Sequence, residues 1–370
     1  MKPRPHVALS VLCGTTGGPA TYGKRLAAAL ALRDDLRLTV LTDRPDVLGV
    51  GGAEVVALPM RGGVDRLRWQ YVALPRALRR LRPDVYHDTK NALPLHLSLP
   101  AVVTVHDLAY HTVPTTFPPA SRWFLRAATR HAVRRAAAIV VPSAATAADL
   151  RRVHPACAAR IHIVPHGIDP APAVDAAAQR EAAARLGLPA RFVLHVGTLQ
   201  ARKNVDLVVQ AVRRLRAEGL PHRAVIVGRE GWLAAATLRE MRRDDTALWL
   251  PHVSAPDLAA LHALADAFVS PSRYEGFGLA VADALAAGLP TVIADVSSLP
   301  ELCGDAAVRL AALTTDAIVE ALRPLLQDRE RAVSLGASAR QRAATLTWAA
   351  SAAGHAAVYR RVAAGSLRRG

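Results

Sequence analysis

Cysteine is the first thing this chain has little of. Its 370 residues contain three, Cys13, Cys157 and Cys303, far apart and without a C-x-x-C pair. A disulfide framework or a thiolate zinc site is therefore not expected, and a reducing cytosol is the natural compartment. Aromatic residues make up only 4%, which argues against single-stranded nucleic-acid binding, since that usually relies on stacking platforms. No apolar run approaches the roughly 20 residues that a membrane-spanning helix needs. At the N-terminus the run HVALSVLC is short, lacks an A-x-A-like cleavage site and leads into glycines, so it reads as a first β-strand and not as a signal peptide. Lysine is scarce too: four (Lys2, Lys24, Lys90, Lys203) against 43 arginines.

What is present is a globular composition, 51% hydrophobic and 21% charged, enough for two cores of ordinary domain size. The net charge of +17 is uneven. Residues 1–170 hold 23 basic against 11 acidic residues, and the remainder 24 against 19. Codon usage in a GC-rich genome explains most of the arginine. A basic first half also suits anionic partners such as a phospholipid surface, a phosphorylated acceptor or nucleic acid. The segment Ser121–Ala137 reads as a helix with an arginine-studded face, either simply solvated or in contact with a membrane surface.

Short β-prone runs alternate with Ala/Leu/Arg helical stretches, the pattern of doubly wound parallel sheets. In the first half the candidate strands are His6–Leu12, Leu38–Leu41, Glu54–Leu58, Val85–His87, Ala101–His106 and Ala138–Val141, with helices such as Ala20–Leu32 and Val64–Leu81 between them. A Pro/Gly-rich stretch at His162–Ala173 reads as a linker. A second alternation follows: strands Phe192–Val196, Arg223–Val227, Leu248–Leu250, Ala267–Ser270 and Thr291–Ala294. Its helices are expected at Asn204–Glu218, Gly231–Arg242, Ala255–Ala265 and Gly278–Ala287. Two α/β alternations predict two Rossmann-like domains facing each other, 1–168 and 169–345, plus a final helix within 346–370.

In such sheets ligands bind beyond the carboxyl ends of strands, at helix N-termini. Four loops lie there. CGTTGGPATYG follows the first strand, and Gly17 and Gly18 would let the backbone approach a phosphate, or simply form a tight turn. In GTLQARKN, Arg202 and Lys203 stand before a helix start, where two cations oppose the helix dipole and call for an anion such as a diphosphate. In VTVHDLAY, His106 ends a strand, where it can bond a substrate hydroxyl or is satisfied by nearby backbone. The fourth, PSRYEGFGLAVADALAAGLP, is the most specific. Glu275 can accept sugar hydroxyls, and the N–H groups of Phe277, Gly278 and Leu279 are left over at a helix start. Asp283 lies about one and a half turns further on, within reach of a ribose diol.

With these motifs the chain resembles the retaining GT-B glycosyltransferases of glycosyltransferase family 4, whose hallmark PSxxEGFGLxxxEAxAxG stands here as PSRYEGFGLAVADALAAG. The glycine loop, TVHDLAY, VPHGID, GTLQARKN, VSAPDLAALHALADAFVSPS, SLPELCGDAA and a closing TWAASAAGHAAVYRRV follow in family order, so the likeness covers nearly the whole chain. The resemblance implies that the last helix returns to the first domain. It also implies that Arg202 and Lys203 hold the diphosphate of a nucleotide-sugar donor, with Gly17 and Gly18 facing it. Glu275 and the backbone of Gly276, Phe277, Gly278 and Leu279 would grip the sugar. Asp283 would meet the ribose, His252–Val253 the base, and His106 the sugar near its reacting carbon. No cofactor or metal is expected, the two cations supplying the positive charge. Mannose is the favoured sugar, a glycan or lipid-linked molecule the expected acceptor, and the cytoplasm, or the inner face of a membrane, the expected place. Asp283 departs from the family's glutamate by one methylene, and GGPATYGK departs from GGIGRY.

Three other readings compete. A dehydrogenase fails because no G-x-G-x-x-G follows either domain's first strand. A catalytically silent sugar-nucleotide scaffold is supported by Asp283 and opposed by Arg202, Lys203 and Glu275. A sugar phosphorylase with a lysine-held cofactor has little opportunity, because Lys203 is the only lysine of the second half.

Overall fold

The computed structural model describes residues 4–13, 17–60 and 63–367. Residues 14–16 of the glycine loop and the ends of the chain therefore lie outside the described residues. Contacts divide the chain into two compact units. One comprises residues up to Leu108, Trp123–Gly167 and those from Thr347 on; the other comprises Ala109–Arg122 and Ile168–Leu346.

The first unit runs β1 (His6–Val11), α1 (Gly18–Ala31), β2 (Arg37–Thr42), β3 (Glu54–Ala57), α2 (Gly63–Arg68), α3 (Leu74–Leu81), β4 (Val85–Asp88) and β5 (Ala101–Thr104). The chain then passes through the short α4 (Ala109–Thr112) and the first residues of α5 (Pro119–Arg135), which belong to the second unit, before the rest of α5, β6 (Ala138–Val141), α6 (Ala144–Val153) and β7 (Ile161–Ile163) complete the first. All seven strands are parallel, in the order β3-β2-β1-β4-β5-β6-β7. The order reverses between β1 and β4, so the loops leaving those two strands diverge and open a crevice. The buried positions of the inner strands are mostly Val, Leu, Ile and Ala, the composition of strands covered on both faces, with Ser10, Thr39, Tyr86 and His87 among them.

The second unit continues with α7 (Ala176–Leu186), β8 (Phe192–Val196), α8 (Val205–Ala217), β9 (Arg223–Val227), α9 (Ala235–Met241), β10 (Ala247–Leu250) and α10 (Ala255–Leu264). It ends with β11 (Ala267–Ser270), α11 (Leu279–Ala287), β12 (Thr291–Ala294), α12 (Leu299–Cys303), β13 (Val308–Leu310), α13 (Thr315–Gln327) and α14 (Arg329–Ala344). Its sheet, β10-β9-β8-β11-β12-β13, is again parallel and reverses between β8 and β11. Apolar clusters cover both of its faces.

The last helix, α15 (Trp348–Leu367), packs on the first unit's core. Trp348, Ala352, Ala356, Tyr359 and Val362 join Tyr22, Leu26 and Leu30 of α1 there. Its entry is tight: a methyl group on Gly167 would stand 2.3 Å from the backbone nitrogen of Trp348, so only glycine fits. Polar groups then tie α15 to the sheet. His355 Nδ1 donates to the Ser351 carbonyl (2.7 Å), so its Nε2 accepts from the Tyr22 hydroxyl at 2.8 Å. Tyr22 in turn accepts from Thr104 (2.9 Å), Thr104 from His87 Nε2 (2.9 Å), and His87 Nδ1 from the Tyr359 hydroxyl (2.7 Å). One proton assignment satisfies every member of this buried chain.

Several expected elements differ. The helix expected over Val64–Leu81 is α2 and α3 joined by a π-turn at Trp69–Ala73, placed where Pro75 removes a helical N–H and crowds the preceding turn. The expected linker beginning at His162 contains the short edge strand β7. The strand expected to reach His106 ends at Thr104. The helix expected from Gly231 begins only at Ala235, because Leu233 takes a left-handed conformation (φ 59°). The indole of Trp232 in that loop donates to the Thr116 carbonyl (3.1 Å) and its ring meets Phe117. These contacts help hold Ala109–Arg122 in the second unit. Among the described residues no helix is long and apolar enough to cross a membrane.

Candidate active site

In the second unit the switch point between β8 and β11 brings together the loop after β8, which carries Arg202 and Lys203, and the loop after β11, which carries Glu275. Ala201–Lys203 forms a 3₁₀ turn, and Asn204 leaves it in the left-handed region (φ 49°) as the cap of α8. The helix thus starts one residue later than expected. Asn204 is 3% exposed; its amide donates to the Pro271 carbonyl (3.0 Å) and accepts from Arg273 Nε (2.8 Å). The Arg273 N–H bonds the Arg202 carbonyl (2.8 Å), and the Arg202 guanidinium bonds the Tyr274 carbonyl. Both cations converge on Glu275: Lys203 Nζ is hydrogen-bonded to one carboxylate oxygen and Arg202 Nη1 lies 3.2 Å from the other.

The anion that the sequence called for beside Arg202 and Lys203 is therefore present within the protein. Burial alone would raise the Glu275 pKa, but Lys203, Arg202 and a hydrogen bond from Ser272 outweigh it and hold the carboxyl at about 2. Glu275 is ionised at any physiological pH. Its N–H donates to Ser297 (2.8 Å) and its carbonyl accepts from the Ser298 hydroxyl (2.9 Å). Two cations held side by side on the Glu275 carboxylate are groups of the kind that attract a bound anion.

Gly278 caps α11 in the left-handed region (φ 97°), a conformation that favours glycine. The first intrahelical bond there runs from Ala282 N to the Gly278 carbonyl (2.9 Å). The N–H groups lacking an acceptor inside the helix are thus those of Gly278, Leu279, Ala280 and Val281. This shifts the expected set of Phe277, Gly278 and Leu279 by one to two residues. Phe277 precedes the cap and its ring belongs to the apolar core. Gly276 is buried, Leu279 half-buried, and Asp283 half-buried on α11. His252 is exposed and Val253 half-buried, in the turn between β10 and the Ser254 cap of α10.

The other expected site residues belong to the first unit. Gly17 (φ 101°) caps α1 and Gly18 is its first residue, at the switch point beside β1. His106 follows β5 and its Nε2 donates to the Thr89 carbonyl at 2.8 Å. Burial lowers its pKa against the raising influence of Thr89 and Asp107, so the ring is neutral and Nδ1 carries the lone pair. Tyr22 meets the His106 ring edge-on (centroids 4.9 Å apart). Among the described residues no group of three His, Cys, Asp or Glu converges as a metal site. The sequence reading missed Asn204, Ser272, Ser297 and Ser298. Asn204 had a legible signal, an asparagine just before a helix, whereas Ser297 and Ser298 act across the fold.

Two parallel Rossmann-like units, one carrying an arginine–lysine–glutamate cluster at its switch point, are the architecture of the GT-B fold. The family model described as Glycosyltransferase Family 4 matches residues 16–172, and that of Glycosyl transferases group 1 matches residues 179–342. The chain belongs to this family. Its relatives include O-antigen chain mannosyltransferase B of Escherichia coli, 30% identical over an alignment of 276 residues that covers 70% of each chain. The lipopolysaccharide core biosynthesis mannosyltransferase LpcC of Rhizobium leguminosarum bv. viciae is 27% identical over 75% of this chain and 78% of that one. Among solved structures, the Anabaena protein HepE in complex with UDP-glucose superposes with a TM-score of 0.72 at 16% identity, covering 99% of this chain and all of that one.

Proposed function

We propose that this glycosyltransferase transfers a hexose, mannose in the first instance, from a nucleotide-diphosphate sugar to a glycan or lipid-linked acceptor with retention of anomeric configuration. The observation that carries the reading is the convergence of Arg202 and Lys203 on Glu275 beside the start of α11. In this reading the two cations bind the diphosphate and stabilise the charge that develops on the leaving phosphate, so that no metal is needed. Glu275 and the N–H groups at the start of α11 hold the sugar hydroxyls, Asp283 the ribose, and the backbone at His252–Val253 the base. Gly17 and Gly18 present backbone to the phosphates, and neutral His106 accepts a sugar hydroxyl through Nδ1. The leaving phosphate takes the acceptor hydroxyl's proton as the new glycosidic bond forms on the face that the phosphate leaves.

Mannose is supported by the two mannosyltransferase relatives, and a sugar-nucleotide donor by the HepE complex. The test is a thermal-shift panel of UDP-, GDP-, ADP- and dTDP-sugars. GDP-mannose is expected to give the largest rise in Tm; flat curves across the panel would favour the silent scaffold. Proton NMR of the first-formed product is expected to show the donor's anomeric configuration, and inversion would refute retention.

An anionic membrane surface is the proposed setting. On α5, Arg122, Arg126, Arg130 and Arg134 recur at every fourth residue, and Trp123 (73% exposed) and Phe124 (54%) stand out from the same helix. Co-sedimentation with phosphatidylglycerol vesicles is expected at low salt and should disappear near 0.5 M salt. Binding that ignores both salt and lipid charge would contradict this placement.

A further inference from the structure

β8 carries a histidine that the functional reading does not use. His195 is 1% exposed, and its Nδ1 lies 2.8 Å from the Val269 carbonyl of neighbouring β11, so Nδ1 bears the proton. Burial, the largest influence, holds the ring neutral with a pKa of about 4. The lone pair is consequently on Nε2, and this buried atom has no hydrogen-bond partner among the described residues. Leaving a buried acceptor unmet is unfavourable.

Its neighbour is informative. A methyl group on Gly197 would lie 3.5 Å from His195 Nε2, 3.6 Å from Lys203 Cε and 3.8 Å from Lys203 Nζ. The missing side chain at residue 197 therefore leaves the acceptor on one side and the ammonium on the other. The lysine's ammonium is an N–H donor, hydrogen-bonded to Glu275 in this structure.

We propose that His195 is a positioning residue whose Nε2 receives an N–H of Lys203 when a nucleoside diphosphate binds. This rests on the diphosphate-binding reading of the same loop. The ammonium turns away from Glu275 toward the phosphates and His195, which fixes its direction. Glu275 gains a lone pair for the sugar. The buried acceptor is satisfied only in the bound state, which favours binding.

The test is ¹⁵N NMR of the full chain labelled at histidine nitrogens, titrated with GDP and with UDP, with calorimetry on the same samples. The His195 Nε2 resonance, assigned by its loss in His195→Gln, is expected to move upfield in step with saturation. His195→Phe should weaken diphosphate affinity about tenfold, with His195→Gln, whose amide oxygen can accept, recovering part of it. An unmoved Nε2 resonance at calorimetric saturation overturns the proposal while leaving the diphosphate site standing. Absence of any heat with either diphosphate overturns both. The wild-type titration needs neither variant as a functional enzyme.

Discussion

At the scale of single residues, Lys203 and Glu275 have two separable roles. Each neutralises the other in a nearly buried position, with side chains 14% and 10% exposed, and each is assigned a contact with the donor. Removing one charge therefore affects stability as well as chemistry. Lys203→Met leaves the carboxylate to Arg202 alone and should cost about 3 kcal/mol, since an incompletely compensated buried charge is expensive. Lys203→Met combined with Glu275→Gln should recover most of that stability and none of the turnover, as seen in denaturant melts and donor-consumption assays. If the double variant turned over normally, both residues would be structural. Part of this was legible in the sequence. The adjacent cations before a helix demanded an anion, and Glu275 stood in the most specific motif. That the anion would be Glu275 was not legible, because the pairing spans 72 positions and depends on the β8/β11 switch. Ser297 and Ser298, which hold the Glu275 backbone, were hidden for the same reason.

At the scale of elements, α15 is fastened to the first unit by apolar packing and by a close backbone approach at Gly167. A methyl group on Gly167 would collide with Trp348 backbone and not with a movable side-chain tip, so Gly167→Ala should destabilise by about 2 kcal/mol or more. An unchanged Tm would mean that the approach is looser than described. Tyr22→Phe removes the donor to His355 Nε2 and the acceptor of Thr104. A cost of about 1–3 kcal/mol is expected, measured by urea unfolding. Strands with dense apolar runs, such as Phe192–Val196 and Ala138–Val141, were readable to the residue because burial on both faces leaves a strong apolar signal. The π-turn at Trp69–Ala73 and the edge strand Ile161–Ile163 were not, since one is a single-residue adjustment around Pro75 and the other takes its pairing from β6. Placement of α15 came only from resemblance: a helix rich in small residues has no strongly apolar stripe to declare its partner.

At the scale of the whole molecule, buried neutral histidines give the protein an acid limit. His195, His262 and His355 are each held near a pKa of 4, burial being the main cause, and His87 and His166 are also pushed well down. An unfolded histidine titrates near 6.5. Between 6.5 and 4 the unfolded chain binds more protons than the folded one, so this stabilisation is complete above 6.5 and declines as the pH falls through that window. His195, His262 and His355 each contribute about 3 kcal/mol across it. The Tm should be level above pH 7 and fall steeply toward pH 4; a level profile down to pH 4.5 would show that these rings are not held neutral. Glu275 titrates below this range and takes no part.

The central claim is that Arg202 and Lys203 bind a diphosphate, and calorimetry tests it most directly. GDP and UDP are titrated into the wild-type chain and into the charge-balanced Lys203→Met, Glu275→Gln variant. Loss of one charge-assisted contact should weaken the better-bound nucleotide by about tenfold to a hundredfold. Equal Kd values in the two proteins would contradict the account.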